Sequence, residues 1–140
     1  MAVSAVISLW ACGSKPSFDG RPSEIKWGDV YEYLRTVQVA LDKAIEEADE
    51  NSKRLIIEET ARVVGPHTNE LVKASSTKDT DERRMVAFGL GFASTKNVLP
   101  VIFRLGKDPD PMVRGLATMS LGLLGIRKMI SYPDVSSYFE

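Results

Sequence analysis

An internal repeat constrains the fold of this chain more than any other feature of its sequence. The segment LGKDPDPMVRGLATMSLGLLG, at residues 105–125, follows a similar one about thirty residues earlier, STKDTDERRMVAFGLGF. A shift of 31 in residue number, which we call the repeat shift, superimposes four identical pairs: Asp79 on Asp110, Arg83 on Arg114, Leu90 on Leu121 and Gly91 on Gly122. A shift near 26 aligns residues 64–65 with residues 90–91, which indicates an earlier and more degenerate copy. Repeats of this length predict one supersecondary unit that is copied along the chain and stacked on its neighbours.

The spacing of apolar residues predicts that each copy is a pair of helices. Between residues 23 and 51, apolar side chains recur every three or four residues, which is typical of one face of an amphipathic helix. We expect this helix to bury Val30, Leu34, Val37, Leu41, Ala44, Ile45 and Ala48. The acidic residues at 46–50 are unfavourable at a helix C-terminus and indicate a loop.

A second helix completes the first predicted hairpin. Asn51 or Ser52 is suited to cap its N-terminus, and Gly65 with Pro66 is suited to end it. Its predicted buried residues are Leu55, Ile56, Ala61, Val63 and Val64.

The remaining sequence predicts two further helical pairs. Residues 66–76 form a short helix with Leu71, Val72 and Ala74 inward, and residues 77–94 form a capped helix that buries Met85, Val86, Phe88, Leu90 and Phe92. Residues 97–125 repeat the pair, and no alternating pattern between turn dipeptides indicates a strand. We therefore predict an all-α fold, an α-solenoid of two to three stacked helical hairpins.

The segment NVLPVIFRLGKDPDPMVRGLATMSLGLLG, at residues 97–125, resembles a HEAT repeat. The matching residues are Leu99 and Pro100 in a first helix, the turn Asp108, Pro109, Asp110, Pro111, and Val113, Arg114, Ala117, Leu121 and Gly122 in a second helix. The resemblance is weaker over residues 66–94 and weakest over residues 27–65. It implies that residues 23–140 form a helical repeat domain that binds other proteins. Its last layer is either capped by the apolar residues after 125 or completed by a partner.

Simple physical roles account for the residues of this motif. Asp108 and Asp110 are suited to cap the second helix, while Pro109 and Pro111 restrict the turn and fit a first helical turn. The small residues Gly115, Ala117, Ser120 and Gly122 allow neighbouring helices to approach closely. Arg114 lies near a helix N-terminus, where the helix dipole disfavours a cation, so we expect an acid such as Asp108 or an aspartate of the adjacent repeat beside it.

The N-terminal segment MAVSAVISLWACGSK resembles a bacterial lipoprotein signal peptide. Residues 2–11 are an uncharged apolar run, too short to span a bilayer but within the length of a signal-peptide core. Leu9, Ala11 and Cys12 match a lipobox, which implies cleavage before Cys12 and lipidation of its thiol. We therefore expect a signal peptide at 1–11 and a flexible tether at 12–22, which is rich in Gly, Pro and Ser. The alternative is a buried first helix with Cys12 as an inert core thiol.

Composition argues against several classes of function. With 18 Lys and Arg against 19 Asp and Glu, the chain offers no electrostatic basis for a nucleic-acid partner. One Cys and one His are too few for the usual His/Cys metal sites. His67 has no nucleophile motif such as G-x-S-x-G to accompany it, so we expect no catalytic residues, no metal and no cofactor.

These observations together predict a membrane-tethered, HEAT-like scaffold or adaptor that is not an enzyme. Its partner would be an unidentified protein, and it would be anchored through Cys12 in a bacterial cell envelope, at the outer membrane or the periplasmic face in a Gram-negative cell. The alternatives are a soluble regulatory or small-ligand-sensing helical domain and a non-catalytic subunit of a larger assembly.

Overall fold

The structure, a computed structural model, describes residues 24–138. This part of the chain holds seven α-helices and no strand: α1 Val30–Glu46, α2 Glu50–Val64, α3 Thr68–Ala74, α4 Thr80–Gly89, α5 Leu99–Leu105, α6 Pro111–Ile126 and α7 Tyr132–Ser136. The prediction of an all-α fold is confirmed. The described residues divide into two compact units, 24–64 and 65–138. Leu9, Ala11, Cys12 and the predicted tether lie outside the described residues.

The first unit contains the predicted helical hairpin of α1 and α2. The buried residues of α1 are Val30, Leu34, Val37, Ala40, Leu41 and Ala44. The prediction was wrong for Ile45, whose side chain is 49% exposed because it lies about 100° around the helix from Ala44. It was also wrong for Ala48, which lies beyond the end of α1 in the left-handed region, with φ 52°, and is exposed.

The N-terminus of α2 is capped by Asp49, not by Asn51 or Ser52. The backbone N–H of Ser52 donates to Asp49 Oδ1 at 3.0 Å, and the Ser52 hydroxyl donates to Asp49 Oδ2 at 2.7 Å. These bonds lower the pKa of Asp49. The buried face of α2 includes Ile57 and Thr60, which were not predicted, whereas Leu55 is exposed and Ala61 is half-buried, contrary to the prediction.

The second unit repeats one helical pair with constant spacing. The first helices, α3 and α5, start at Thr68 and Leu99, and the second helices, α4 and α6, start at Thr80 and Pro111, so both pairs are separated by the repeat shift. The core of this unit includes Phe88 and Phe92, whose rings meet edge to face with centroids 5.2 Å apart. Met85, Val86 and Leu90 are buried as predicted, but Val72 and Ala74 are only half-buried.

The short helix α7 packs against α5. The ring of Tyr138, just after α7, stacks on Phe103 with centroids 3.8 Å apart, and Lys96 Nζ lies 2.9 Å from Asp134 Oδ1. Both α5 and α7 carry a proline in the first helical turn. Because α7 begins at Tyr132, close to one repeat shift after the start of α5, it takes the position of the first helix of a further repeat.

Candidate protein-binding surface

The turn before α6 is held by two aspartates with different roles. Asp110 is the N-cap, and its Oδ2 accepts a hydrogen bond from the backbone N–H of Val113 at 3.0 Å. Asp108 stabilises the turn itself, because its Oδ1 accepts from the backbone N–H of Asp110 at 2.9 Å. Pro111 is the first residue of α6, where its missing N–H costs nothing.

The preceding repeat uses the same arrangement before α4. Asp79 is the N-cap and accepts from the backbone N–H of Glu82 at 3.1 Å. Thr77 takes the place of Asp108, because its hydroxyl oxygen accepts from the backbone N–H of Asp79 at 3.3 Å. The two turns are therefore equivalent: Thr77 corresponds to Asp108, and Asp79 corresponds to Asp110, each pair separated by the repeat shift.

Two arginines of α4 bind the two aspartates of the following turn. Arg83 donates to Asp108 from Nε (2.9 Å) and Nη2 (3.3 Å). Arg84 donates to Asp110 from Nε (2.9 Å) and Nη2 (3.0 Å). Each is a two-point guanidinium–carboxylate contact, which restricts geometry more than a single bond does. These contacts join the two successive repeats at their turns.

The ion pairs shift the pKa values of both aspartates downward. The hydrogen bond from Arg84 is the largest contribution that lowers the pKa of Asp110, which falls to about 2. Burial raises the pKa of Asp108, but the hydrogen bonds from Arg83 and from the Asp110 backbone outweigh burial and leave the pKa lowered. Both carboxyl groups are therefore ionised at neutral pH.

Within residues 24–138, Arg114 is paired with no acidic side chain, contrary to the prediction. Arg114 is exposed, and its Nη1 donates to the backbone carbonyls of Asp108 (2.9 Å) and Pro109 (3.1 Å). The Asp108 side chain points instead to Arg83 of the preceding repeat. Backbone carbonyls of the turn therefore satisfy one nitrogen of Arg114.

The helices α4 and α6 are in close contact through small residues. The Ser120 hydroxyl donates to the backbone carbonyl of Ala87 and also lies 3.2 Å from that of Phe88. A Cβ on Gly91 would lie 2.7 Å from Leu123 Cδ1 and 3.0 Å from Ser120 Cα. Gly91 is therefore required for this close approach.

The opposite side of α6 is open, and among the described residues no helix approaches Gly115 or Gly122, contrary to the prediction. A Cβ on Gly115, Gly122 or Gly125 would have no heavy-atom neighbour within 4 Å. Met112 is 52% exposed and Ile126 is 55% exposed on the same side. We call the exposed residues Met112, Gly115, Thr118, Gly122, Gly125 and Ile126 the outer face of α6. It is an exposed, uncharged helix surface next to Arg114.

The other residues singled out from the sequence occupy structural positions. Val113 and Ala117 are buried in the α6 interface, Leu121 is half-buried, and Pro100 and Pro109 are exposed. His67 ends the 3₁₀ turn Gly65–His67 and is half-buried. Within residues 24–138, no three His, Cys, Asp or Glu side chains are grouped so as to hold a metal ion. No helix in that range is both long and apolar enough to cross a bilayer.

Sequence reasoning missed Arg83 and Arg84 as the partners of the turn aspartates. The relevant pattern was present, because Arg83 precedes Asp108 by 25 residues and Arg84 precedes Asp110 by 26. These separations of 25 and 26 residues join the second helix of one repeat to the turn before the second helix of the next repeat. The close approach of a neighbouring helix at Ser120 was predicted, but its hydrogen bond to the backbone of α4 was not.

Comparison with known proteins agrees with this architecture. A family model for HEAT repeats matches residues 68–137, which is half of the chain. Flap endonuclease 1 of Entamoeba histolytica is 36% identical over 72 residues, covering 48% of this chain and 19% of that protein. The chain thus spans about a fifth of the length of this curated relative. No solved structure matches significantly.

HEAT repeats generally mediate protein–protein interaction. This chain belongs to the HEAT-repeat family.

Proposed function

We propose that this protein is an interaction scaffold that is held at a bacterial membrane through a lipid on Cys12. The observation that supports the interaction role is the outer face of α6, an exposed uncharged surface on a family whose repeats generally bind proteins. At the neighbouring turn, Asp108 and Asp110 are already paired with Arg83 and Arg84 of α4, so these four side chains stabilise the stack.

The membrane tether is supported by the sequence of the N-terminal segment. An uncharged apolar run ends in Leu9, Trp10, Ala11 and Cys12, and the residues that follow are rich in Gly, Pro and Ser. Cleavage before Cys12 would make it the first residue of the mature protein, with its thiol carrying a diacylglyceryl group. Each buried methylene of such a group contributes about 0.8 kcal/mol to membrane binding.

The proposed role is non-catalytic. The similarity to flap endonuclease 1 covers only a fifth of that protein, so it does not by itself assign a nuclease activity to this chain. The nearly balanced charge gives no support for a nucleic-acid partner. A soluble regulatory domain or a non-catalytic subunit is the alternative, and both would use the same repeat surface without the lipid.

Cross-linking in the native host tests both parts of the proposal. The wild-type chain and the Cys12→Ser variant would be cross-linked in cells, fractionated and analysed for partners and intact mass. We expect wild type in the membrane fraction as a lipid-modified chain that begins at Cys12, with a defined protein partner. We expect Cys12→Ser to lose the membrane location and most of the partner. An unmodified wild-type chain outside the membrane fraction would refute the tether, and a wild-type chain without any specific partner would refute the scaffold.

A further inference from the structure

We propose that the outer face of α6 binds one helix of a partner protein, and that a carboxylate in the turn before that helix pairs with Arg114. This inference rests on the proposed scaffold function and assigns its binding surface. It comes from comparing the two copies of the repeat within the second unit, because one copy shows an interface that the other leaves open.

Arg83 and Arg114 are equivalent in their own repeats but differ in one respect. Arg83 Nη1 donates to the carbonyls of Thr77 and Lys78, both at 3.1 Å, just as Arg114 Nη1 donates to those of Asp108 and Pro109. Arg83 also uses Nε and Nη2 to bind the carboxylate of Asp108 in the next repeat. In the described part of the chain, Nε and Nη2 of Arg114 make no hydrogen bond. A carboxylate is the group that this free edge fits.

The helix surface beside each arginine is equivalent as well. On α4 and the 3₁₀ turn Leu90–Phe92 that follows it, the residues that meet α6 include Ala87, Phe88 and Gly91. The repeat shift places Thr118, Met119 and Gly122 at the same positions on α6. Gly91 is in contact with the next helix, whereas Gly122 has open space around it. The outer face of α6 is therefore a copy of a surface that already holds a helix in this protein.

Only half of the next layer is present among residues 24–138. The helix α7 takes the position of a first helix and packs on α5 through Phe103 and Tyr138. The position of the second helix, next to α6, is not filled by any described residue, as the open space at Gly115, Gly122 and Gly125 shows. The open surface of α6 is therefore the one that the second helix of a further repeat would cover.

A second copy of this chain is a poor candidate for the occupant. By analogy with Asp108, which precedes the first residue of α6 by three positions, the docking helix needs an acid three positions before its start. Within this chain only α2, with Glu47, and α6 itself meet that requirement among the seven described helices. The apolar face of α2 is buried, and Asp108 is bound by Arg83. Among residues 24–138 no helix is available for this role, so we assign the face to a helix of a partner protein.

A peptide that copies the known docking helix tests this assignment. The probe is fluorescein-labelled peptide of residues 107–126, KDPDPMVRGLATMSLGLLGI, because this segment already binds the equivalent surface of α4. Fluorescence anisotropy would measure its binding to the full chain. The variants are Gly122→Leu, which fills the outer face, and Gly28→Leu as a matched control, since a Cβ on Gly28 also meets nothing within 4 Å. Circular dichroism would verify that both variants remain folded.

We expect one peptide per chain, at least tenfold weaker binding to Gly122→Leu, and unchanged binding to Gly28→Leu. We also expect an Asp108→Asn change in the peptide to weaken binding to wild type about threefold or more, and to have no further effect on an Arg114→Gln chain. No measurable binding at roughly 100 µM peptide, or equal binding to wild type and Gly122→Leu, would overturn the proposal. Self-association of the chain that Gly122→Leu abolishes would assign the face to a second copy and overturn it too.

The cellular cross-linking distinguishes this proposal from the scaffold function. If Gly122→Leu recovers the same partner in the same amount as wild type, the scaffold function stands but the outer face of α6 is not its binding surface. If wild type recovers no specific partner, the scaffold function itself fails.

Discussion

Arg83 and Arg114 occupy equivalent positions in successive repeats and hold their own turns through the same pair of hydrogen bonds, but only Arg83 also reaches an aspartate of the next repeat. The difference follows from position in the stack, because α6 and its turn lie next to Arg83. The repeated residues therefore have two functions. They shape the turn of their own repeat, and they connect that repeat to the one that follows.

Two equivalent glycines should respond in opposite ways to the same substitution. Gly91→Ala places a Cβ 2.7 Å from Leu123 Cδ1 and 3.0 Å from a backbone atom of α6, so we expect destabilisation of about 1–3 kcal/mol. Gly122→Ala meets open space in a helix, and we expect stabilisation of up to about 1 kcal/mol. Urea denaturation followed by circular dichroism measures both. Shifts of the same sign and size would contradict the assignment of the close contact to Gly91.

The cap of α2 gives a test within the first unit. Asp49→Ala removes the acceptor of both Ser52 hydrogen bonds, so we expect a loss of about 1 kcal/mol in the free energy of unfolding. Asn51→Ala should change it by less than about 0.5 kcal/mol, because Asn51 is exposed and is not the cap. Thermal denaturation of the two variants compares them directly. A larger effect for Asn51→Ala would restore the original prediction of the cap.

Stability should fall in acid because the turn aspartates are ionised in the folded chain. The pKa of Asp110 is about 2 in the folded state, below the value of about 3.9 for an unfolded Asp. A lowered folded pKa gives stability that is complete above the unfolded pKa and is lost as the pH falls through the folded one. We therefore expect Asp110 to contribute to a decrease in stability between about pH 4 and pH 2.

The matched variant for this pH dependence is Asp110→Asn. It should be less stable than wild type at pH 7 and should lose less further stability between pH 4 and pH 2, because it lacks the titrating carboxyl. Denaturation curves collected at several pH values provide the comparison. Parallel curves for the two chains across that range would show that Asp110 does not contribute.

The helices were predictable from sequence, but the contacts between them were only partly so. Apolar spacing located the inward residues of α4, and the Asp-Pro-Asp-Pro turn placed the start of α6 correctly. The same spacing could not show that Ala48 leaves the helix, because the left-handed turn at the end of α1 is a local backbone choice. The sequence also predicted the wrong partner for Arg114. Equivalent arginines in two repeats have different neighbours, because only Arg83 is followed by a turn that supplies Asp108.

A double-mutant cycle on Arg83 and Asp108 tests most directly the central claim that this pair joins successive repeats. The four chains are wild type, Arg83→Gln, Asp108→Asn and the double variant, with free energies of unfolding from urea denaturation. Because both side chains are largely buried, 17% and 8% exposed, we predict a coupling energy of about 1–3 kcal/mol. In the control cycle, Arg114→Gln with Asp108→Asn, the two changes in the free energy of unfolding should be nearly additive. Arg114 contacts the backbone carbonyl of Asp108 but not its side chain. Coupling below about 0.5 kcal/mol for Arg83 and Asp108, or equal coupling in both cycles, would contradict the account.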